Sequence, residues 1–189
     1  MSESSEPVGT GRARYPRTSG GLIGALLVTV LAVIAFAVFR ALTTDNEPTP
    51  LRAVDYAASV KSARADDKLL VLAPARLPLG WKATSATYTR GVSPTWHLGT
   101  LTNDDEYVGV EEARTSIKSL VEEHVDMDAQ RGKDVTIGAE KWQSWTDAGG
   151  DYAVARVVRG PKGAEESVLV VGSAPADLVR GFARSLTDR

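Results

Sequence analysis

The chain has no cysteine among its 189 residues, and only two histidines, two methionines and three phenylalanines. Without thiols there is no disulfide, no thiol nucleophile, no zinc–thiolate site and no lipid-modified cysteine, so the fold must stand on packing. A glycine-rich phosphate loop opening a helix is missing, which removes the usual basis for nucleotide binding. The G-x-S-x-G elbow of many hydrolases is missing too. Basic excess is also lacking. Residues 43–189 carry 18 basic and 22 acidic side chains, a balance of −4 that attracts neither nucleic acid nor anionic lipid.

Long apolar runs are lacking with one exception. Gly21 to Phe39 reads GLIGALLVTVLAVIAFAVF, uncharged, with Thr29 as its one polar side chain. As a helix it would be roughly 28 Å long, close to the ~30 Å hydrocarbon core of a bilayer. The run therefore predicts a single-pass membrane helix over 20–42. Arg12, Arg14 and Arg17 precede it, against Arg40 and Arg52 after it, a bias that places the N-terminus in the cytoplasm and the rest outside. Ala35-Phe36-Ala37 has the small-x-small form of a signal cleavage site, but it lies inside the apolar run, which is longer than a signal core. Gly20 and Gly24, or Gly21, Ala25 and Thr29, recur every four residues. That spacing lets two spans approach as a homodimer, although glycine and alanine are common in spans for other reasons. The expected organisation is a disordered cytoplasmic tail (1–19), the span (20–42), a tether (43–52) with Pro48 and Pro50, and one extracytoplasmic domain (53–189).

Within that domain Asp55 is placed to cap a helix carrying Tyr56, Val60 and Ala63. Leu69 to Leu72 reads as a short strand. Strands follow at Trp81–Arg90, Thr95–Leu101 and Tyr107–Glu112, with Asn103-Asp104-Asp105-Glu106 as a hairpin tip. Thr115 or Ser116 caps a helix with Ile117, Leu120, Val121 and His124 on one stripe. A polar loop over 126–133 precedes strands at Val135–Ile137, Lys141–Thr146, Tyr152–Arg159 and Ser167–Val171. A last helix buries Leu178, Val179, Phe182 and Leu186. Consecutive hairpins predict an α+β fold: a mainly antiparallel sheet with helices packed on one face, after one transmembrane helix.

Val54-Asp55-Tyr56, Ala63-Arg64, Ala73-Pro74 with Leu77-Pro78, Trp81 to Ser85 (WKATS), Trp96-His97-Leu98-Gly99, Tyr107-Val108, Trp142, Tyr152-Ala153 and Val171-Gly172 occur in order. In these the sequence closely resembles the actinobacterial single-pass membrane proteins grouped as domain of unknown function 4245. It departs at Glu111-Glu112-Ala113, where Glu-Gln-Ser is usual, and at Ser167-Val168-Leu169, where a more Thr-rich strand is usual. The resemblance implies an anchored cell-envelope protein at the plasma membrane and carries over no activity.

Chemistry-bearing residues are sparse. His97 lies in a strand and points away from Trp96 and Leu98, where it reads as a half-exposed strand histidine; His124 reads as a helix-surface residue. Nine acids fall between Asn103 and Asp128, but no D-x-D-x-D-G spacing wraps calcium there. Glu111 and Glu140 have no spacing that calls for a glycosidase pair. The reading is a non-enzymatic module that binds an envelope protein or cell-wall component, with no catalytic residue, cofactor or metal assigned. Its candidate contact surface comprises Trp145, Tyr152 and Arg156 as one cluster, with His97, Asp104, Asp105 and Glu106. In the 146–152 hairpin, setting Asp147 opposite Tyr152 puts Trp142 opposite Val157, in the core, and Trp145 on the other face. The alternative is a cell-wall-modifying hydrolase using carboxylates and His97, which requires His97, a hydroxyl and a carboxylate to converge.

Overall fold

The structure, a computed structural model, describes residues 19–43 and 53–189. The chain divides into two units, Met1–Thr49 and Pro50–Arg189. In the first, α1 (Ser19–Thr43) is one unbroken helix. Among the described residues no helix is long and apolar enough to cross a membrane. Of the expected disordered tail (1–19) and tether (43–52), residues 1–18 and 44–52 lie outside the described residues, while Ser19 and Thr43 belong to α1.

The second unit is α+β. It contains α2 (Tyr56–Arg64), β1 (Ala73–Pro74), β2 (Lys82–Thr89), β3 (Thr95–Leu101), β4 (Tyr107–Ala113), α3 (Ile117–His124), β5 (Gln130–Arg131), β6 (Val135–Ile137), β7 (Glu140–Thr146), β8 (Tyr152–Arg159), β9 (Glu165–Gly172), α4 (Ala176–Ser185) and β10 (Leu186–Thr187). Among the described residues the main sheet has eight strands in the order β2-β3-β4-β9-β8-β7-β5, with β6 also on β7, and all pairs are antiparallel. β1 and β10 form a separate two-stranded ribbon. The expected caps are present. Asp55 Oδ1 accepts from the N–H groups of Ala57 and Ala58, and Ser116 Oγ accepts from Ser119 N–H.

Helices cover both faces of the sheet, not one. The alternation along each central strand explains it: Val154, Val168 and Val170 face one way, while Ala153, Ala155, Leu169 and Val171 face the other, and all are buried. The larger core lies under α2 and α4, where Val179 and Phe182 are buried as expected and the Phe182 ring stacks on Trp81 at 5.9 Å. The smaller core is closed by Ile117, Leu120 and Val121 of α3. Leu186 belongs to β10 and not to the last helix, because the chain turns extended straight after Ser185.

Leu69 to Leu72 is not a strand. Val71 has φ +55°, a left-handed value that strains a β-branched residue and prevents regular pairing. Side chains satisfy the backbone instead. Glu166 Oε2 accepts from Leu70 N–H at 2.9 Å, while Glu112 Oε1 and Oε2 accept from Val71 and Leu72 N–H at 2.8 and 2.9 Å. Arg64 donates to the Val71 carbonyl, and Trp96 Nε1 donates to the Leu72 carbonyl. The segment is a strap fastened across the sheet by buried carboxylates.

Candidate functional site

β2, β3 and β4 leave a polar surface on the face that α3 only partly covers. The register sets Thr87 opposite His97 and His97 opposite Glu111, and sets Ser85 opposite Gly99. Ser85 shares this face with Thr87 by the alternation of the strand, and a β-bulge precedes it. The register shifts between Ala83 and Ser85, so Ala83 and Ala86, three residues apart, both lie against the larger core. Such a bulge re-aims a side chain without interrupting the sheet.

The result is a linear chain of hydrogen bonds. Ser85 Oγ lies 2.6 Å from His97 Nε2, and His97 Nδ1 lies 2.5 Å from Glu111 Oε1. An ionised carboxylate only accepts, so Nδ1 carries a proton; in neutral His97 the bare Nε2 then accepts from the Ser85 hydroxyl. Two glycines make room. A Cβ on Gly99 would collide with Ser85 Oγ and crowd the Tyr107 ring and His97 Nε2, and a Cβ on Gly109 would collide with the Tyr107 phenol. Gly99 and Gly109 are themselves paired, so the Tyr107 ring lies over a floor without side chains.

The charges around Glu111 set the local electrostatics. Its carboxylate is buried, and His124 Nε2 of α3 stands 4.0 Å from its second oxygen. The hydrogen bond to Glu111 raises the pKa of His97 above the usual imidazole value, against the opposing effect of burial. Burial, with the negative charge of Glu111 beside it, pushes the Tyr107 phenol up to about 12. A groove of about 740 Å³ opens here. Thr87, Thr89, Ser93, Thr95, Thr115 and Tyr107 supply hydroxyls to its lining, with His97, Glu111 and His124 among the other lining residues. Ser85 stands just beyond that lining, two residues along β2 from Thr87. Among the described residues no group of three or more His, Cys, Asp or Glu side chains is arranged to hold a metal ion.

The sequence-predicted surface residues do not come together. Trp145 is on the α3 face, against the smaller core. Tyr152 and Arg156 are on the opposite face, where Arg156 lies 5.1 Å over the Trp142 ring and Arg180 lies 5.7 Å over the Tyr152 ring. The cause is a register one residue from the expected one. Asp147 joins the turn, with its Oδ1 accepting from Asp151 N–H at 2.7 Å, so Thr146 pairs with Tyr152 and Trp145 with Ala153. Trp142 is buried as expected, but it stands at the level of Arg156 and not of Val157. Asp104, Asp105 and Glu106 form the β3–β4 hairpin tip, closed by Thr102 Oγ1 accepting from Asp104 and Glu106 N–H, and none lines the groove. Of that set only His97 is in the groove. Ser85, Tyr107, Glu111 and His124 are its unforeseen company.

An α+β fold of this kind with a hydroxyl-lined groove defines an architecture and not a reaction. The chain belongs to the family described as Protein of unknown function (DUF4245), which matches residues 14–186. No curated protein matches it in sequence. Among solved structures it is similar to MucB in complex with MucA(peri), at 15% identity and a TM-score of 0.37, over 61% of this chain and 35% of that one. It is similar also to the MucA/MucB complex of Pseudomonas aeruginosa, at 15% identity and a TM-score of 0.36, over 61% and 34%. The chain thus spans about a third of the length of either, a likeness too slight to carry a partner across.

Proposed function

We propose that the protein is a single-pass envelope protein whose folded domain binds a hydroxyl-rich cell-wall component in the groove beside His97 and Glu111. The groove is the observation that carries this reading. Its volume of about 740 Å³ is that of a small-ligand site, and hydroxyls and imidazoles line it. Hydroxyls and imidazoles both donate and accept, which suits a polyol whose own groups do the same. The domain's acidic balance argues for such a ligand over nucleic acid or an anionic lipid surface.

Titration of full-length protein in nanodiscs with a soluble cell-wall disaccharide, N-acetylglucosaminyl-N-acetylmuramic acid, tests the groove. Saturable shifts of the His97 and His124 imidazole resonances, lost in Thr95→Val, are expected. Binding to purified cell walls that is indifferent to Thr95→Val and leaves both imidazoles unmoved would place the contact elsewhere.

The anchor rests on the apolar run Gly21 to Phe39 and its arginine flanks. A cysteine-free chain makes the check direct. With a single cysteine at Ser4 or at Thr187, an impermeant maleimide added to intact cells should label Thr187→Cys and spare Ser4→Cys; the reverse pattern overturns the orientation.

A further inference from the structure

We propose that Ser85 is an acylatable nucleophile, activated by His97 and positioned through Glu111, and that its substrate class is the O-acyl ester of a polyol. The substrate half rests on the reading of the groove as a polyol site. The nucleophile half stands on geometry alone.

Three strands contribute one residue each, and the contacts run in the order an acyl transfer needs. Ser85 Oγ is 2.6 Å from His97 Nε2, and the opposite ring nitrogen is 2.5 Å from Glu111 Oε1. Nucleophile, base and base-orienting carboxylate define this arrangement irrespective of fold or chain order. Glu111 is the positioning residue. Its burial, with imidazoles near both of its oxygens, keeps the carboxylate aimed at Nδ1 and fixes the His97 tautomer that leaves Nε2 able to accept. Gly99 completes the device, since any larger residue there would intrude between Ser85 Oγ and His97 Nε2.

The reaction balances without a co-reactant other than water. Ser85 Oγ attacks the ester carbonyl carbon as its proton passes to His97 Nε2. Collapse of the tetrahedral adduct breaks the bond to the alcohol oxygen, which takes that proton and leaves as the polyol. Water then adds to the acyl-serine, with Nε2 again taking and returning a proton, and the free acid departs. The position of Ser85 beside the hydroxyl-lined groove puts the polyol in the groove and the acyl group next to Gly99.

Full-length protein in detergent micelles, treated with a fluorophosphonate and digested for mass spectrometry, decides the nucleophile. A phosphonyl adduct on Ser85 is expected, absent in Ser85→Ala and formed about 100-fold more slowly in His97→Gln, the size of a general-base contribution. The labelling rate should rise with pH as His97 loses its proton, and the midpoint should fall in Glu111→Gln, a displacement that a purely structural glutamate would not produce. An unlabelled Ser85 in folded protein, or labelling undiminished in His97→Gln, overturns the proposal. Protection by the disaccharide supports the polyol assignment; unprotected labelling keeps the nucleophile and overturns the groove as its substrate site.

Discussion

Glu111 and Glu112 are neighbours on β4, and the alternation of the strand sends them to opposite faces of one sheet. Both carboxylates are buried, yet their surroundings differ in kind. Glu112 meets two backbone N–H groups of the strap and a second carboxylate, Glu166. Glu111 meets two imidazoles and an open groove. Desolvation, with Glu166 beside it, pushes Glu112 up to about 7 despite the N–H groups that favour its charged form. One glutamate fastens the fold, and the other faces solvent chemistry. The lesson is that the partners, and not burial, decide what a carboxylate does.

Four experiments break or sharpen that contrast. The largest effect belongs to Glu112→Ala, which strands two buried N–H donors; at about 1 to 3 kcal/mol each, a loss of about 3 to 5 kcal/mol is expected in denaturant melts. A loss under 1 kcal/mol would mean the strap holds without its clamp.

The second concerns pH. Folded Glu112 keeps its proton to higher pH than the unfolded carboxyl at 4.5, so the folded state binds more protons in between. The contribution of Glu112 to stability is therefore fully present below 4.5 and is lost as pH rises through about 7, about 3 kcal/mol in all. Glu112→Gln should flatten that slope; an unchanged slope would assign it to another group. His97 acts in the same direction, its contribution being present below 6.5 and lost above it as pH passes the raised folded value.

Third, Gly160→Ala should cost about 1 to 3 kcal/mol as an overpacking change, because its Cβ would meet the Glu166 carboxylate. Glu111→Gln is the smallest for stability, under about 1 kcal/mol, since an amide still hydrogen-bonds His97. Its effect is on the ring: the His97 titration midpoint, read by NMR, should fall, and an unmoved midpoint would remove Glu111 from the site.

Much of this arrangement was legible in the sequence, and the failures are physical. The α+β class, the capped helices, the β3–β4 hairpin and the burial of Trp142 and Phe182 followed from periodicity and turn chemistry, which act over a few residues. The His97–Glu111 pair was latent in the same hairpin, because pairing Leu101 with Tyr107 across its tip brings them opposite. Ser85 was not legible, since a bulge breaks the alternation by which facing is read. The grouping of Trp145 with Tyr152 and Arg156 failed for a related reason: a one-residue change in turn length sends every following side chain to the other face. The strap could not be foreseen either. Its apolar residues look like a strand, but their backbone partners are side chains 40 to 96 positions away. Helices on both faces escaped notice because strands such as Val168–Val171, apolar throughout, do not reveal how many covers they need.

The seam between β4 and β9 also sets the order of assembly. β2–β3–β4 and β7–β8–β9 are two meanders of short-range hairpins, and Val108↔Gly172 to Ala113↔Ser167 is where they join. Loop-closure entropy favours the local hairpins first and leaves that long-range pairing until later. Glu112 and Glu166 lie on the two sides of the seam, so the binding frame for the strap does not exist until the halves meet. The strap is thus a latch that fastens last, and its N–H groups should be the first in the large core to exchange with deuterium when the domain opens.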